Sequence, residues 1–168
     1  LAKFLIIADS LDDPGLNTHD ISSFFRHVLS RVRWDRDLHF QTNTTMDTLD
    51  YSGTGLNNGS KVVLAAYGPP RREMDTEVPV VLKDLQSFEN ARLVMPGVIA
   101  LQARPFTNYE AAVKEMEMLN EQCGMYNDQL KGIPLIVICD DAAFVSQRLN
   151  NFLWITFTRC NPSYDMYG

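Results

Sequence analysis

Two stretches of this chain share one construction, and that construction narrows what it can fold into. "KFLIIAD", Lys3 to Asp9, and "PLIVICDD", Pro134 to Asp141, are each a short apolar run closed by an acid. Apolar runs of that length, bounded by polar turn formers, predict strands. The first run is followed by the turn-forming "DDPGLN" and then by "HDISSFFRHVLSRVR". There Ile21, Phe24, Phe25, Val28, Leu29 and Val32 recur at the spacing of an amphipathic helix. Asn17 or Thr18 is placed to cap that helix, and Asp20 suits the positive end of its dipole.

The second run leads into "AAFVSQRLNNFLWITFTRCNP". A shift of 128 positions lays Ile21 on Leu149, Phe24 on Phe152, Phe25 on Leu153, Val28 on Thr156, Leu29 on Phe157 and Val32 on Cys160. Five of the six stripe positions stay apolar, and Arg31 and Asp37 fall on Arg159 and Asp165. The strand-ending Asp9 and Asp140 align once three extra residues are allowed in the first turn. The expectation is a duplicated strand-helix unit, near residues 3–40 and 133–168. The bland alternative is that two amphipathic helices slide into register by chance.

After its helix the first copy runs through "WDRDLHFQ" into a polar, Gly-rich segment and the strand candidate "VVLAAY". The second copy stops at "SYDMYG", which leads us to expect a fragment of a longer polypeptide. Between the copies, "ARLVMPG" and "VIALQA" read as strands around a Pro-Gly turn. "TNYEAAVKEMEMLNEQCG" reads as a helix, with Thr107 and Glu110 forming a capping box, Gly124 at its stop, and Ala112, Met116, Leu119 and Cys123 on its apolar side. The order of elements predicts a single α/β domain over residues 1–168, a mixed β-sheet with helices packed on it.

Composition excludes several classes of function. A net charge of -6 with acids and bases interspersed gives no electrostatic footprint for nucleic acid or an anionic membrane. No apolar run approaches the roughly 20 residues of a membrane span. The start has neither a basic region nor a cleavage pattern of a secretory signal. Cys123, Cys139 and Cys160, an odd count at wide spacing, argue for a reducing compartment, with the cytoplasm as the default. The triplets beginning at Asn43 and Asn58 are then chance matches to a glycosylation acceptor.

Candidate sites are few. "GTGLNNGSK", Gly53 to Lys61, resembles a phosphate loop, but Ser60 separates Gly59 from Lys61 and a strand follows rather than a helix. An ordinary glycine loop is the better reading. Asp140 and Asp141, like Asp9, Asp12 and Asp13, stand where Mg²⁺ ligands or a phosphoacceptor can sit at the carboxyl edge of a sheet. Acids there also make the turns that lead into helices, which is the preferred reading. His19, His27 and His39 lack partners at zinc-ligand spacing. His27, off the apolar stripe, is expected at the surface, and Cys139 is expected to be a buried structural thiol. Arg31 with Asp37 and Arg159 with Asp165 are expected to be structural ion pairs. No catalytic, cofactor-binding or metal-binding residue is assigned.

The strand, acidic turn and helix of Lys3 to Phe40 resemble the C-terminal domain of the UbiD family of decarboxylases. "GSKVVLAAYG" is similar to a Gly-Ser-Lys segment of that family. "LNNFLWITFTRCNPSYDMYG" resembles another copy of its helix, with Trp154, Thr158-Arg159, Pro162 and Asp165 at the family's motif positions. Arg26 and His27 depart from the Trp and small apolar residues expected within the first helix, and "LAAYG" stands where the family often has Leu-Asp-Ala-Thr.

The resemblance implies a carboxy-lyase of aromatic or α,β-unsaturated acids such as polyprenyl-hydroxybenzoate, in ubiquinone or menaquinone biosynthesis. It also implies prenylated FMN and a divalent cation held by an upstream flavin-binding domain. The piece in hand would then mediate homo-oligomerisation and help close the substrate cleft, without catalysing on its own. The alternatives are a non-catalytic α/β interaction domain, or a small nucleotide- or metal-binding site near Asp9 and Asp140.

Overall fold

The computed structural model describes residues 2–45, 50, 52–53, 55, 57–85 and 87–167. Both apolar runs are strands, β1 (Phe4–Ala8) and β6 (Leu135–Cys139). Between them lie α1 (Ile21–Arg31), β2 (Leu38–Thr44), β3 (Gly59–Ala66), β4 (Glu89–Met95), β5 (Val98–Gln102) and α2 (Tyr109–Met125). After β6 come α3 (Ala142–Gln147), α4 (Leu149–Arg159) and α5 (Pro162–Asp165). The fold is mixed α/β, with two mixed three-stranded sheets ordered β1-β3-β2 and β4-β5-β6. Among the described residues no helix is long and apolar enough to cross a membrane.

The chain divides into two compact units, Leu1–Arg71 with Leu153–Gly168, and Arg72–Phe152. In the first, β3 is central, parallel to β1 and antiparallel to β2. Alternation along the strands turns Phe4, Ile6, Val62 and Leu64 to one face. Phe25, Val28 and Leu29 of α1 are buried with Val62, Leu64 and Ala66 as the core of this unit. Phe157 of α4 stands edge-on to Phe4, with ring centroids 4.8 Å apart, and 5.9 Å from Phe25. Such aromatic pairs add about 0.5–1.5 kcal/mol beyond area burial.

In the second unit, β5 is parallel to β6 and antiparallel to β4. Val98, Ile99, Ala100 and Leu101 are all fully buried, so both faces of this sheet are covered. One face packs Ile99 and Leu101 with Leu82, Leu85, Phe88, Ile133 and Leu119 of α2. The other carries Val98 and Ala100, and α3, with Ala142 and Val145 buried, lies across β4 and β5. Gly97 makes the β4-β5 turn at φ 78°, and a Cβ there would strike the Met74 side chain.

The caps differ from expectation. Asp20 itself caps α1, accepting from the Ser23 N–H at 3.1 Å, because its carboxylate reaches the free N–H groups without a turn of backbone between. Asn108, rather than Thr107, caps α2 through the Ala111 N–H at 2.9 Å. Gly124 lies inside α2, which runs on to Met125. The second apolar run is followed by two helices, because Arg148 is extended, at φ -148° and ψ 146°, and breaks the segment before Leu149.

Candidate functional site

The carboxyl ends of a parallel strand pair are where open α/β sheets place ligands. Here Ala8 of β1 lies beside Ala66 of β3, and the loops leaving both strands meet α1. The acids of the first loop are occupied by it. Asp9 accepts from the Leu11 N–H at 2.9 Å and Asp13 from the Gly15 N–H at 3.0 Å. Asp12 accepts from the Gly68 N–H at 2.7 Å and lies 3.8 Å from Arg31 Nε. Arg31 Nε donates to the Gly68 carbonyl at 2.9 Å, while its Nη1 donates to the His27 carbonyl at 2.9 Å and to Ser30 Oγ at 3.0 Å. Gly68 has φ 92°, so the turn that Asp12 and Arg31 grip from both sides needs a glycine.

His27 belongs to this network and is buried, at 6% exposure, contrary to the surface position expected of it. The reason is tertiary: the chain after Gly68 folds over this side of α1, where the Arg71 N–H donates to the Ser30 carbonyl at 2.8 Å. His27 Nε2 has no hydrogen-bond partner among the described residues. Burial, seconded by the Arg31 charge, lowers its pKa against the opposing pull of Asp12 and Asp13, and so favours the neutral imidazole.

The expected Arg31–Asp37 pair is not made. Arg31 turns back along its own helix, and Asp37, 3% exposed, takes Arg36 instead, with Nε to Oδ1 at 2.5 Å. Asp37 also accepts the Arg33 N–H at 2.8 Å. These contacts, the Arg36 hydrogen bond foremost, hold its carboxyl below the usual aspartate value against the effect of burial. At the equivalent place 128 positions on, Asp165 likewise accepts a backbone N–H, that of Asn161 at 2.6 Å. Among the described residues Arg159 and Asp165 form no ion pair.

A second polar cluster lies at the amino ends of β1 and β3, where no site was expected. Lys3 Nζ donates to Asp50 at 3.2 Å, Ser52 Oγ at 3.0 Å and the Thr158 carbonyl at 3.2 Å. Burial resists ionisation of Asp50, but the Ser52 and Lys3 contacts outweigh it and lower its pKa. Nearby, Ser60 Oγ hydrogen-bonds the buried Asn161 side chain and accepts the Ser163 N–H at 2.9 Å. The one legible signal was Asn161-Pro162, a turn-initiating pair that starts α5.

Elsewhere the chemistry is muted. Gly59, Ser60 and Lys61 of the phosphate-loop candidate are the first residues of β3, while Thr54 and Leu56 lie outside the described residues. Asp141 caps α3 through the Phe144 N–H at 2.9 Å. Burial pushes the Cys139 thiol up to about 11 and the Cys160 thiol up to about 12. Among the described residues no group of three or more His, Cys, Asp or Glu is arranged to hold a metal ion. A cleft of about 480 Å³ in the second unit is lined in part by Glu89, Gln102 and Arg104.

Comparison with known proteins bears on this geometry. Residues 1–66 match the family of 3-octaprenyl-4-hydroxybenzoate carboxy-lyase C-terminal domains, which takes in β1, the acidic turn, α1 and the β2-β3 hairpin. An uncharacterised protein of Chlamydia caviae is 29% identical over 167 residues, covering 99% of this chain and 26% of the relative. A Chlamydia pneumoniae protein that bears the name of a 4-hydroxybenzoate decarboxylase subunit is 28% identical over 168 residues, covering 100% of this chain and 26% of the relative. The chain thus spans about a quarter of the length of the curated relatives it matches. No solved structure matches it. The strand, acidic turn and helix that open this chain are thus similar to those of UbiD-family C-terminal domains.

Proposed function

We propose that this chain is the assembly and cleft-closing C-terminal domain of a prenylated-FMN-dependent decarboxylase of aromatic or α,β-unsaturated acids, of which polyprenyl-hydroxybenzoate is the type. The observation that carries the reading is the family match over residues 1–66, and the name of the Chlamydia pneumoniae relative supports the same reaction class. In such an enzyme the flavin takes up electron density as CO₂ leaves. The flavin and its divalent cation would sit in the upstream domain. The residues here fit a supporting part: the carboxylates of Asp9, Asp12, Asp13 and Asp141 are engaged by backbone N–H groups of nearby turns and helix starts.

The duplicated unit belongs to the same proposal. α1 and α4 are both 11 residues long and start 128 positions apart. Asp37 and Asp165, at the same offset, each accept the N–H four residues earlier. Each copy would contribute a rigid helix and exit turn to an assembly of cytoplasmic homo-oligomers.

The test is made on the longer polypeptide, co-produced with the enzyme that prenylates FMN. Flavin absorbance together with acid-dependent CO₂ release, in a particle that light scattering shows to be larger than one chain, is the expected result. A polypeptide that neither binds flavin nor exchanges CO₂ with aromatic or unsaturated acids would leave the interaction-domain reading in its place.

A further inference from the structure

His27 is a buried titratable group with an idle ring nitrogen: the residue is 6% exposed, and its Nε2 has no hydrogen-bond partner among the described residues. A neutral imidazole tolerates this, since one of its nitrogens is only an acceptor. An imidazolium does not, because both nitrogens then carry protons and a cation is far costlier than a neutral group to hold away from water. Arg31 sharpens the difference. Its Nη1 donates to the His27 carbonyl at 2.9 Å, so a second cation would form within one helical turn of the first. Asp12 and Asp13 pull the other way, but Asp12 is already engaged by Arg31 Nε at 3.8 Å and the Gly68 N–H, and Asp13 by the Gly15 N–H. Burial and Arg31 prevail and lower the pKa of His27. Arg26 on the same helix and Arg71 on the segment that crosses it are exposed. β1 has no charged residue, and Lys61 of β3 alternates to the sheet face opposite Val62 and α1.

The segment crossing this side of α1 is Gly68–Arg71, and few bonds hold it there. Asp12 accepts the Gly68 N–H at 2.7 Å, Arg31 Nε donates to the Gly68 carbonyl at 2.9 Å, and the Arg71 N–H donates to the Ser30 carbonyl at 2.8 Å. Ser30 and Arg31 stand three and four residues beyond His27, which makes them its neighbours on the helix surface. Pro69 and Pro70 have no N–H and a fixed φ, so the segment moves as a stiff piece about Gly68, whose φ is 92°. Lifting that piece is the smallest opening that gives the imidazole water. The strands and helix beneath stay together.

We propose that His27 is an acid-operated latch: its protonation releases the Gly68–Arg71 segment from α1 and frees Arg31 and Asp12 for other partners at the carboxyl ends of β1 and β3. The device does not depend on the reaction class proposed for the longer polypeptide. With the segment open His27 returns to its ordinary value of 6.5, and with it closed the value is lower, so closure is strongest above 6.5 and weakens as the pH falls below it. Between pH 7.5 and 5.0 one such proton can raise the opening equilibrium by at most about 30-fold.

The test is hydrogen exchange on the longer polypeptide at pH 7.5 and 5.0, read by mass spectrometry at single-residue resolution and corrected for the intrinsic pH dependence of amide exchange. Protection of the Gly68 and Arg71 amides should fall at least about threefold and at most about 30-fold on acidification, while that of Leu29 in α1 and Leu64 in β3 holds. In His27→Gln, which keeps a polar amide, and His27→Leu, which fills the buried site with an apolar group, the acid-induced loss should vanish. A change below about threefold at Gly68 and Arg71, the same loss in whichever variant folds, or an equal loss at Leu29 and Leu64 overturns the proposal. The last of these would mark general acid unfolding rather than a local latch.

Discussion

Replacing Asp37 tests the exit turn of α1 most directly, because its carboxylate is buried and each contact it makes can be assigned a cost. At 3% exposure it accepts the Arg33 N–H at 2.8 Å and two Arg36 bonds at 2.5 and 3.1 Å. Asp37→Ala leaves the Arg33 N–H without a partner, a loss of about 1–3 kcal/mol for a buried donor. The Arg36 pair adds less, about 0.5–1 kcal/mol, because its guanidinium is 39% exposed and screened by solvent. The total is about 1.5–4 kcal/mol, which for a chain of this length lowers Tm by roughly 2–4 °C per kcal/mol. Asp37→Asn keeps an acceptor for the N–H and should lose only about 1 kcal/mol. Urea unfolding at pH 7 measures all of these, and a second arm uses pH. The folded carboxyl titrates below its ordinary value of 3.8, so the ionised form's stabilisation is complete above that value and disappears as pH falls through the lowered folded pKa. The gap between wild type and Asp37→Asn should therefore close on acidification. A cost below about 0.5 kcal/mol for Asp37→Ala, or a gap that stays constant with pH, would refute the argument.

Two further outcomes follow from burial. Phe152 of α4 is fully buried, so Phe152→Ala should cost about 3–5 kcal/mol in denaturant unfolding, while Trp154→Ala two positions on, at 61% exposure, should cost under about 1 kcal/mol. Equal costs would mean that the helix faces are misplaced. With thiols at about 11 and about 12, Cys139 and Cys160 should alkylate with iodoacetamide at pH 8 far more slowly in the folded than in the unfolded chain. The thiolate fraction alone predicts roughly 10²-fold for Cys139 and 10³-fold for Cys160. Similar folded and unfolded rates, followed by mass spectrometry, would contradict the burial.

Periodicity made the elements legible. The apolar run before Asp9, the stripe from Ile21 to Val32 and the Pro-Gly turn all report local preferences, and each became the element its pattern implied. The register of α4 was readable for the same reason: Leu149, Phe152, Leu153, Phe157 and Cys160 are shielded while Asn150, Trp154 and Arg159 are exposed. The site was less legible, because polar side chains choose partners by three-dimensional proximity. Arg31 could not be assigned to Asp12 and Gly68 from spacing, since those residues arrive from a strand end and a loop 37 residues away. Asp37 took Arg36 for its nearness, and His27 was buried by a loop whose path no helical pattern encodes.

What the sequence determined by itself is thus the strand-helix alternation, the apolar faces and the resemblance to a carboxy-lyase C-terminal domain, because these depend on residues near one another in the chain. Only the tertiary structure decided that the strands form two sheets, that Leu153–Gly168 groups with the first unit, and that one sheet has both faces covered while the other keeps Leu5 and Ile7 in the open. Strand pairing and face coverage join residues scores of positions apart, and the free energy that selects them comes from burying whole faces, which local sequence does not record.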